Sequence, residues 1–286
     1  MHYVTAKGIF TSDYGINMYR GCTHGCIYCD SRSKIYQMNH KFEDIEVKEN
    51  AIELLKKELI RRKPCMIGTG AMTDPYIPLE SRLEFVRKAL KLVYRYGFGW
   101  ACITKSDLVL RDIDLLRKIN EKTKAVVQVT ITTADDELCR LVEPNVCPTS
   151  RRVEVLNKLN EANIPTVVWL CPILPHINDT EENINAILDW CIDANVRGVL
   201  NMGMGLSLRE GNREYFYEML DERFPGMKEK YIDEFGDSYF IHSKDNRRLR
   251  SILRKRCEEN GIMHNQDEIF SYMHEFPEKS VQTKLL

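Results

Sequence analysis

The chain has 286 residues with 41 basic and 42 acidic side chains, a formal net charge of -1 and 43% hydrophobic residues. That size and composition fit one barrel-sized domain or two smaller ones. The balanced charge excludes a globally basic nucleic-acid binder, so any polyanion site has to be a local patch. Met1-His-Tyr-Val-Thr-Ala-Lys-Gly8 has no apolar run behind a basic start, and no stretch is long and apolar enough for a bilayer crossing, which predicts a cytoplasmic chain with no membrane partner. Ten scattered cysteines suit such a reducing compartment.

Short β-rich apolar runs alternate with amphipathic helical stretches, and six such runs can be counted. The first, Tyr14 to Tyr19, enters a cysteine-rich loop, and a helix follows from about Asp44 to Arg62 with Ile45, Ile52, Leu55 and Leu59 on its apolar face. The second is Cys65 to Gly70, with a helix from Leu79 to Tyr96. The third is Trp100 to Thr104, with a helix from about Arg111 to Lys122. The fourth is Ala125 to Thr132, followed by short helical pieces and by Ser150 to Asn163. The fifth, Thr166 to Cys171, leads to a helix capped by Asp179 or Thr180, with Glu181 and Glu182 in its first turn. The sixth is Gly198 to Met204.

Strand-helix repeats of this kind form either a doubly wound parallel sheet or a barrel. Neither G-x-G-x-x-G nor G-x4-G-K-[ST] is present to favour a nucleotide-binding sheet. Past about Leu208 the pattern turns charged and aromatic, with turns at Phe224-Pro-Gly226 and Phe235-Gly-Asp237, and predicts short helices. Only Cys257 lies in that tail, too few thiols to hold an iron-sulfur cluster there.

The chemistry concentrates in Arg20-Gly-Cys22-Thr-His24-Gly-Cys26-Ile-Tyr28-Cys29-Asp30. Three thiolates at this spacing suit one inorganic centre, an iron-sulfur cluster or zinc. A purely structural centre usually takes four protein ligands, and three leave one coordination position open. A zinc staple would recruit His24 or His40 as the fourth ligand, yet such sites more often show paired C-x2-C elements, and no second pair occurs. A disulfide scaffold fits less well, because a chain of this length buries a core without staples.

The C-x3-C-x2-C spacing, with Tyr28 just before the last cysteine, resembles the cluster motif of radical S-adenosylmethionine (radical SAM) enzymes. The resemblance implies that Cys22, Cys26 and Cys29 hold three irons of a [4Fe-4S] cluster and that the amino and carboxylate groups of S-adenosylmethionine chelate the fourth. One electron then cleaves the sulfonium, giving methionine and a 5′-deoxyadenosyl radical that removes hydrogen from a substrate. It also implies an α/β fold, a partial (β/α)6 TIM-like barrel over residues 1–207 with the cluster loop at 20–30. A mainly helical C-terminal extension, 208–286, would pack on the open side of the barrel.

Within that group the strand ends are similar to the spore photoproduct lyase-like branch: Thr73-Asp74-Pro75-Tyr76, Ile103-Thr-Lys105-Ser106 followed by Leu110-Arg-Asp-Ile-Asp-Leu-Leu116, and Glu143-Pro144 followed by Arg151 and Arg152. Working residues of βα barrels lie at the carboxyl ends of strands. By resemblance, Thr73, Asp74, Lys105 and Thr130 contact S-adenosylmethionine, Tyr28 and Arg152 join them, and Lys105 or an arginine neutralises its carboxylate. Taken singly, Asp74 before Pro75 also reads as a turn former, Lys105 as a surface lysine and Glu143-Pro144 as a helix stop. One departure is plain: no cysteine stands in Gly70-Ala-Met-Thr-Asp74, where the lyase carries the thiol that returns hydrogen, so repair of the spore thymine dimer is not expected.

The substrate is unassigned by these motifs. A nucleic acid or nucleotide is suggested by the lyase-like branch and by residues 244–256, which carry seven basic side chains and one acid; the alternative is a solvated helix face with Leu249, Ile252 and Leu253 on the core. An electron donor such as flavodoxin or ferredoxin is implied. The competing function is a non-catalytic metal-binding protein whose cysteine loop is only a zinc or cluster staple.

Overall fold

The structure is a computed structural model that describes residues 1–11 and 14–277. In chain order the elements are β1 (His2–Val4), β2 (Tyr19–Arg20), β3 (Glu46–Lys48), α1 (Ala51–Arg61), β4 (Met66–Thr69), α2 (Glu80–Leu83), α3 (Phe85–Tyr96), β5 (Gly99–Thr104), α4 (Ile113–Lys122) and β6 (Ala125–Thr130). There follow α5 (Asp136–Val142), α6 (Thr149–Glu161), β7 (Thr166–Trp169), α7 (Glu181–Asp193), β8 (Gly198–Leu200), β9 (Gly205–Ser207), α8 (Asn212–Arg223), α9 (Met227–Phe235), β10 (Phe240–His242), α10 (Asn246–Glu259) and α11 (Gln266–His274).

Five strands form an all-parallel sheet in sequence order, β4-β5-β6-β7-β8, as repeated strand-helix crossovers require. β6, at its centre, is buried at all six positions, and the period-two alternation of side chains divides the strands between two cores. Val127, Val129, Val168 and Val199 pack under the helical layer. Val126, Val167 and Leu200 face the other way and meet Ile269 and Met273 of α11, which lies against both edge strands, β4 and β8. The result is an α/β partial barrel.

The first expected strand joins this sheet by a single parallel bridge, Gly15 to Gly68, with Ile16 N–H donating to Gly68 O at 2.8 Å. The chain then leaves the edge, and Tyr19 and Arg20 pair antiparallel with β3. Residues 46–48 are thus strand where the helical pattern pointed to a helix from Asp44: Val47 is β-branched and fully buried between Glu46 and Lys48, a strand alternation. The opposite edge is also covered, by a bridge from Gly198 to Met263, so neither edge offers a long unpaired ladder.

The helix expected over Leu79 to Tyr96 is broken at Glu84, which adopts φ 54°. Its cause is Glu80, a buried carboxylate that accepts the N–H groups of Phe85 and Val86 at 2.9 and 3.0 Å and so caps α3 from the turn before. Glu80 also accepts from the Tyr19 hydroxyl at 2.5 Å and from Arg111 at 2.7 Å, and Arg111 bonds Asp112. The Arg111-Asp112 pair singled out in the sequence is therefore part of a strut around Glu80, with Asp112 buried and Arg111 half-buried. Thr180 caps α7, accepting from Asn183 N–H. Beyond residue 208 come α8 to α11, and β10 pairs antiparallel with β9.

Candidate functional site

The cysteine loop follows β2 and is tied down mostly by its backbone. Cys22 N–H donates to Phe42 O and Ile27 N–H to Val142 O, each at 3.0 Å, while Asn145 donates to the carbonyls of His24 and Thr23 at 3.1 and 2.9 Å. Gly21 is needed for this route: its φ is +89°, and a Cβ there would stand 2.4 Å from Phe42 O. Cys26, Ile27 and Tyr28 are buried with Phe216, Leu220 and Tyr231, so α8 and α9 support the loop from its outer side.

All three cysteines line one cavity of about 320 Å³ at the carboxyl ends of the sheet strands, together with His24, Tyr28, Asp74, Lys105 and Thr130. Asp74 organises the second and third strand ends. Its Oδ1 accepts from Tyr76 N–H and the Thr104 hydroxyl, its Oδ2 accepts from Lys105 N–H, all at 2.8 Å, and His24 Nδ1 lies 3.5 Å from Oδ2. Beneath the loop, the Tyr28 hydroxyl donates to Glu143, and Glu143 pairs with Arg152 at 2.5 Å.

The charges follow from burial and these neighbours. Burial pushes the Cys22 thiol up to about 12, with Asp74 adding to the effect, and burial likewise raises Cys26. A thiol that ligates a metal must shed this proton, so binding a metal here would release protons. Burial opposes the Lys105 charge, but Cys26, Glu143 and Asp74 outweigh it and hold the ammonium firmly protonated. Burial pulls His24 down, which keeps it neutral.

Of the residues expected at the cofactor, Tyr28, Asp74, Lys105 and Thr130 reach the cavity with the cysteines. Two do not. Thr73 is buried behind the wall, and Arg152, 1% exposed, spends its guanidinium on Glu143, Cys139 Sγ and the carbonyls of Thr130 and Cys147. Asp74 reaches the wall, but three donors already occupy its oxygens. Sequence reasoning missed the far wall, where Met202, Gly203, Leu206, Phe240 and His242 close the cavity. These come from the β9–β10 ribbon and its approach, a pairing across more than thirty residues for which no local signal exists. Cys171 also lines the cavity, on the loop after β7.

Among the described residues, one group of three His, Cys, Asp or Glu side chains brings its donor atoms within 4.8 Å of one another: His2, His40 and Asp44. The thiols of Cys22, Cys26 and Cys29 fall outside that spacing.

A curled parallel sheet whose strand ends frame three thiols and a half-buried lysine defines a protein of the βα-barrel class with a cysteine-lined cavity. The chain belongs to the Radical SAM superfamily, which matches residues 16–191, more than half of its length. It is a radical SAM enzyme, and the cofactors of this family are a [4Fe-4S] cluster and S-adenosylmethionine. It is 28% identical over 257 residues to the uncharacterized protein Rv2578c of Mycobacterium tuberculosis, covering 85% of this chain and 72% of that one. Its fold is similar to a spore photoproduct lyase mutant with bound AdoMet and dinucleoside spore photoproduct, at TM-score 0.60 and 14% identity over 86% of this chain and 74% of that one. It is also similar to Streptococcus suis SuiB bound to its precursor peptide SuiA, at TM-score 0.52 and 12% identity over 88% and 48% of the two chains. Among the described residues no helix is long and apolar enough to cross a membrane.

Proposed function

We propose that Cys22, Cys26 and Cys29 ligate three irons of the cluster and that Lys105, Thr130 and Tyr28 hold S-adenosylmethionine against the fourth. When bound, the pair supplies one-electron cleavage of a sulfonium and a carbon radical that removes hydrogen from substrate. The observation that carries this reading is the convergence of the three thiols with an ammonium on one cavity wall. Lys105 supplies the cation for the methionine carboxylate. Asp74 acts one step back, holding the backbone of Lys105 and the hydroxyl of Thr104 so that the β5 end keeps its course. The β9–β10 ribbon, with Leu206 and Phe240, narrows the mouth and excludes water and solvent hydrogen donors.

Anaerobic reconstitution tests the ligand assignment. About four irons per chain, lost when any of the three cysteines becomes Ala, with an electron paramagnetic resonance signal that changes on adding S-adenosylmethionine, is expected. A colourless protein whose bound zinc is lost when Cys22, Cys26 and Cys29 become Ala would instead establish the structural staple.

For the substrate class we favour nucleic acid or nucleotide. Arg247, Arg250 and Arg254 stand on one exposed face of α10 with no acidic partner among the described residues, beside Met202, which also lines the cofactor cavity. The other basic residues nearby are spoken for: Arg248 pairs with Glu181 and Arg256 with Asp189. Lyase or oxidoreductase chemistry, a cytoplasmic location, a flavodoxin or ferredoxin donor, and a division into a barrel over 1–207 and an extension over 208–286 complete the proposal.

A further inference from the structure

We propose that His2, His40 and Asp44 form a second, mononuclear site for a divalent transition metal of the zinc class, separate from the thiol loop. One donor atom from each already lies within 4.8 Å of the others. Donors around a tetrahedral zinc stand about 3.4 Å apart, given bonds of about 2.0 to 2.1 Å. Small side-chain rotations close that gap, because the backbone already holds the partners together: β1 runs parallel to β3 with His2 opposite Glu46, and His2 N–H donates to Ile45 O at 2.9 Å.

His40 supplies the independent observation. Its Nδ1 lies 3.0 Å from Lys41 O. A carbonyl only accepts, so Nδ1 carries a proton, and in the tautomer that this contact selects the lone pair is on Nε2. That Nε2 is buried without a hydrogen-bond partner. Metal-bound histidines commonly show this arrangement, with one nitrogen donating to a backbone carbonyl while the other faces the ion.

The surroundings call for positive charge. His2 Nδ1 sits 3.0 Å from Asp44 Oδ2, the rings of His2 and His40 meet edge to face at 4.8 Å, and Glu46 Oε2 is 3.8 Å from His40 Nε2. The Met1 ammonium lies 2.8 Å from Asp44 Oδ1 and offsets one of the two carboxylates, which leaves one negative charge facing the imidazoles for a cation to meet. Nitrogen and oxygen donors without sulfur select zinc and its imidazole-binding neighbours, in contrast to the softer thiol loop. The side chains of His2 and Asp44 are 38% and 42% exposed, which gives the ion a route in.

An ion here would fix the segment holding His40 and Asp44 to β1 and β3. Phe42 lies in that segment, and its carbonyl accepts the N–H of Cys22. The metal would thus brace the outer wall of the cysteine loop without touching the cavity.

The test uses the full chain, stripped anaerobically on a chelating resin and titrated with zinc, alongside a C22A/C26A/C29A variant that removes the loop thiols. One zinc per chain is expected in both proteins, with a raised melting temperature in the thiol-free variant. Affinity should fall at least tenfold in His40→Gln and in His2→Gln made in that background. Absence of zinc from the thiol-free variant, or unchanged affinity in His40→Gln, overturns the site. X-ray absorption of the zinc-loaded thiol-free variant decides the matter should a histidine variant fold poorly. A nitrogen and oxygen shell with imidazole scattering is expected, and a sulfur shell overturns the proposal.

Discussion

Arg152 and Glu143 form an ion pair at 2.5 Å in which the side chains are 1% and 0% exposed. The pair lies directly under the cysteine loop, because Glu143 also accepts the Tyr28 hydroxyl and the residue before it, Val142, accepts Ile27 N–H. Removing one charge leaves the other buried and uncompensated, which costs about 3 to 5 kcal/mol. Glu143→Gln is nearly isosteric, so the loss should come from charge alone. Urea unfolding of the cluster-free protein should show it, and a loss under about 1 kcal/mol would contradict the account.

The same pair sets a pH dependence. Burial pushes the Glu143 carboxyl up, but Arg152 and then Lys105 outweigh it and hold it below its ordinary value of 4.5. A folded value below the unfolded one means that the stabilisation is complete above 4.5 and is lost as pH falls through the depressed value. The stability gap between the parent and Glu143→Gln should stay constant from neutral pH down to about 5 and narrow below 4.5. A gap that widens on acidification would reverse the assigned sign.

Lys105 has no carboxylate in ion-pair contact with its ammonium among the described residues, which leaves the charge free for a ligand. A hydrogen bond to a charged group contributes about 1.5 to 3 kcal/mol. Lys105→Met should therefore weaken S-adenosylmethionine binding about tenfold to a hundredfold in equilibrium dialysis while leaving iron content unchanged. Unaltered binding would remove Lys105 from the site.

Cys171 is the one thiol on the cavity wall outside the loop motif. Burial pushes it up to about 12, in keeping with a small apolar-like residue. Cys171→Ala should keep about four irons per chain. Loss of iron on the scale seen for Cys29→Ala would make Cys171 a fourth ligand and close the open position.

Arg247, Arg250 and Arg254 are open to a polyanion, whereas Arg248 already has Glu181. If the substrate is nucleic acid, each of the three changed to Ala should reduce the salt slope of binding by about one, and Arg248→Ala should reduce it less. Equal slopes for all four variants would remove the face from the substrate path.

How much of this was legible in the sequence depended on how local the cause was. The parallel strands could be read because β-rich runs and crossover helices are local patterns, and the cap at Thr180 because Ser/Thr capping is local too. The break at Glu84 could not, since its cause is the buried carboxylate of Glu80 meeting Tyr19 and Arg111 from distant segments. The cysteine loop announced itself by spacing. Arg152 did not announce its inward role, because a carboxylate, a thiol and two carbonyls that only the fold assembles consume its donors. His40, weighed as a partner for the thiols, stands with His2 because the β1–β3 pairing brings the N-terminal strand beside it.

The central claim is that three thiols leave one iron open to S-adenosylmethionine. Its most direct measurement is chromatographic detection of 5′-deoxyadenosine after anaerobic reconstitution, dithionite and S-adenosylmethionine. The wild-type chain should form it and Cys29→Ala should not. No product from wild type holding about four irons would contradict the claim.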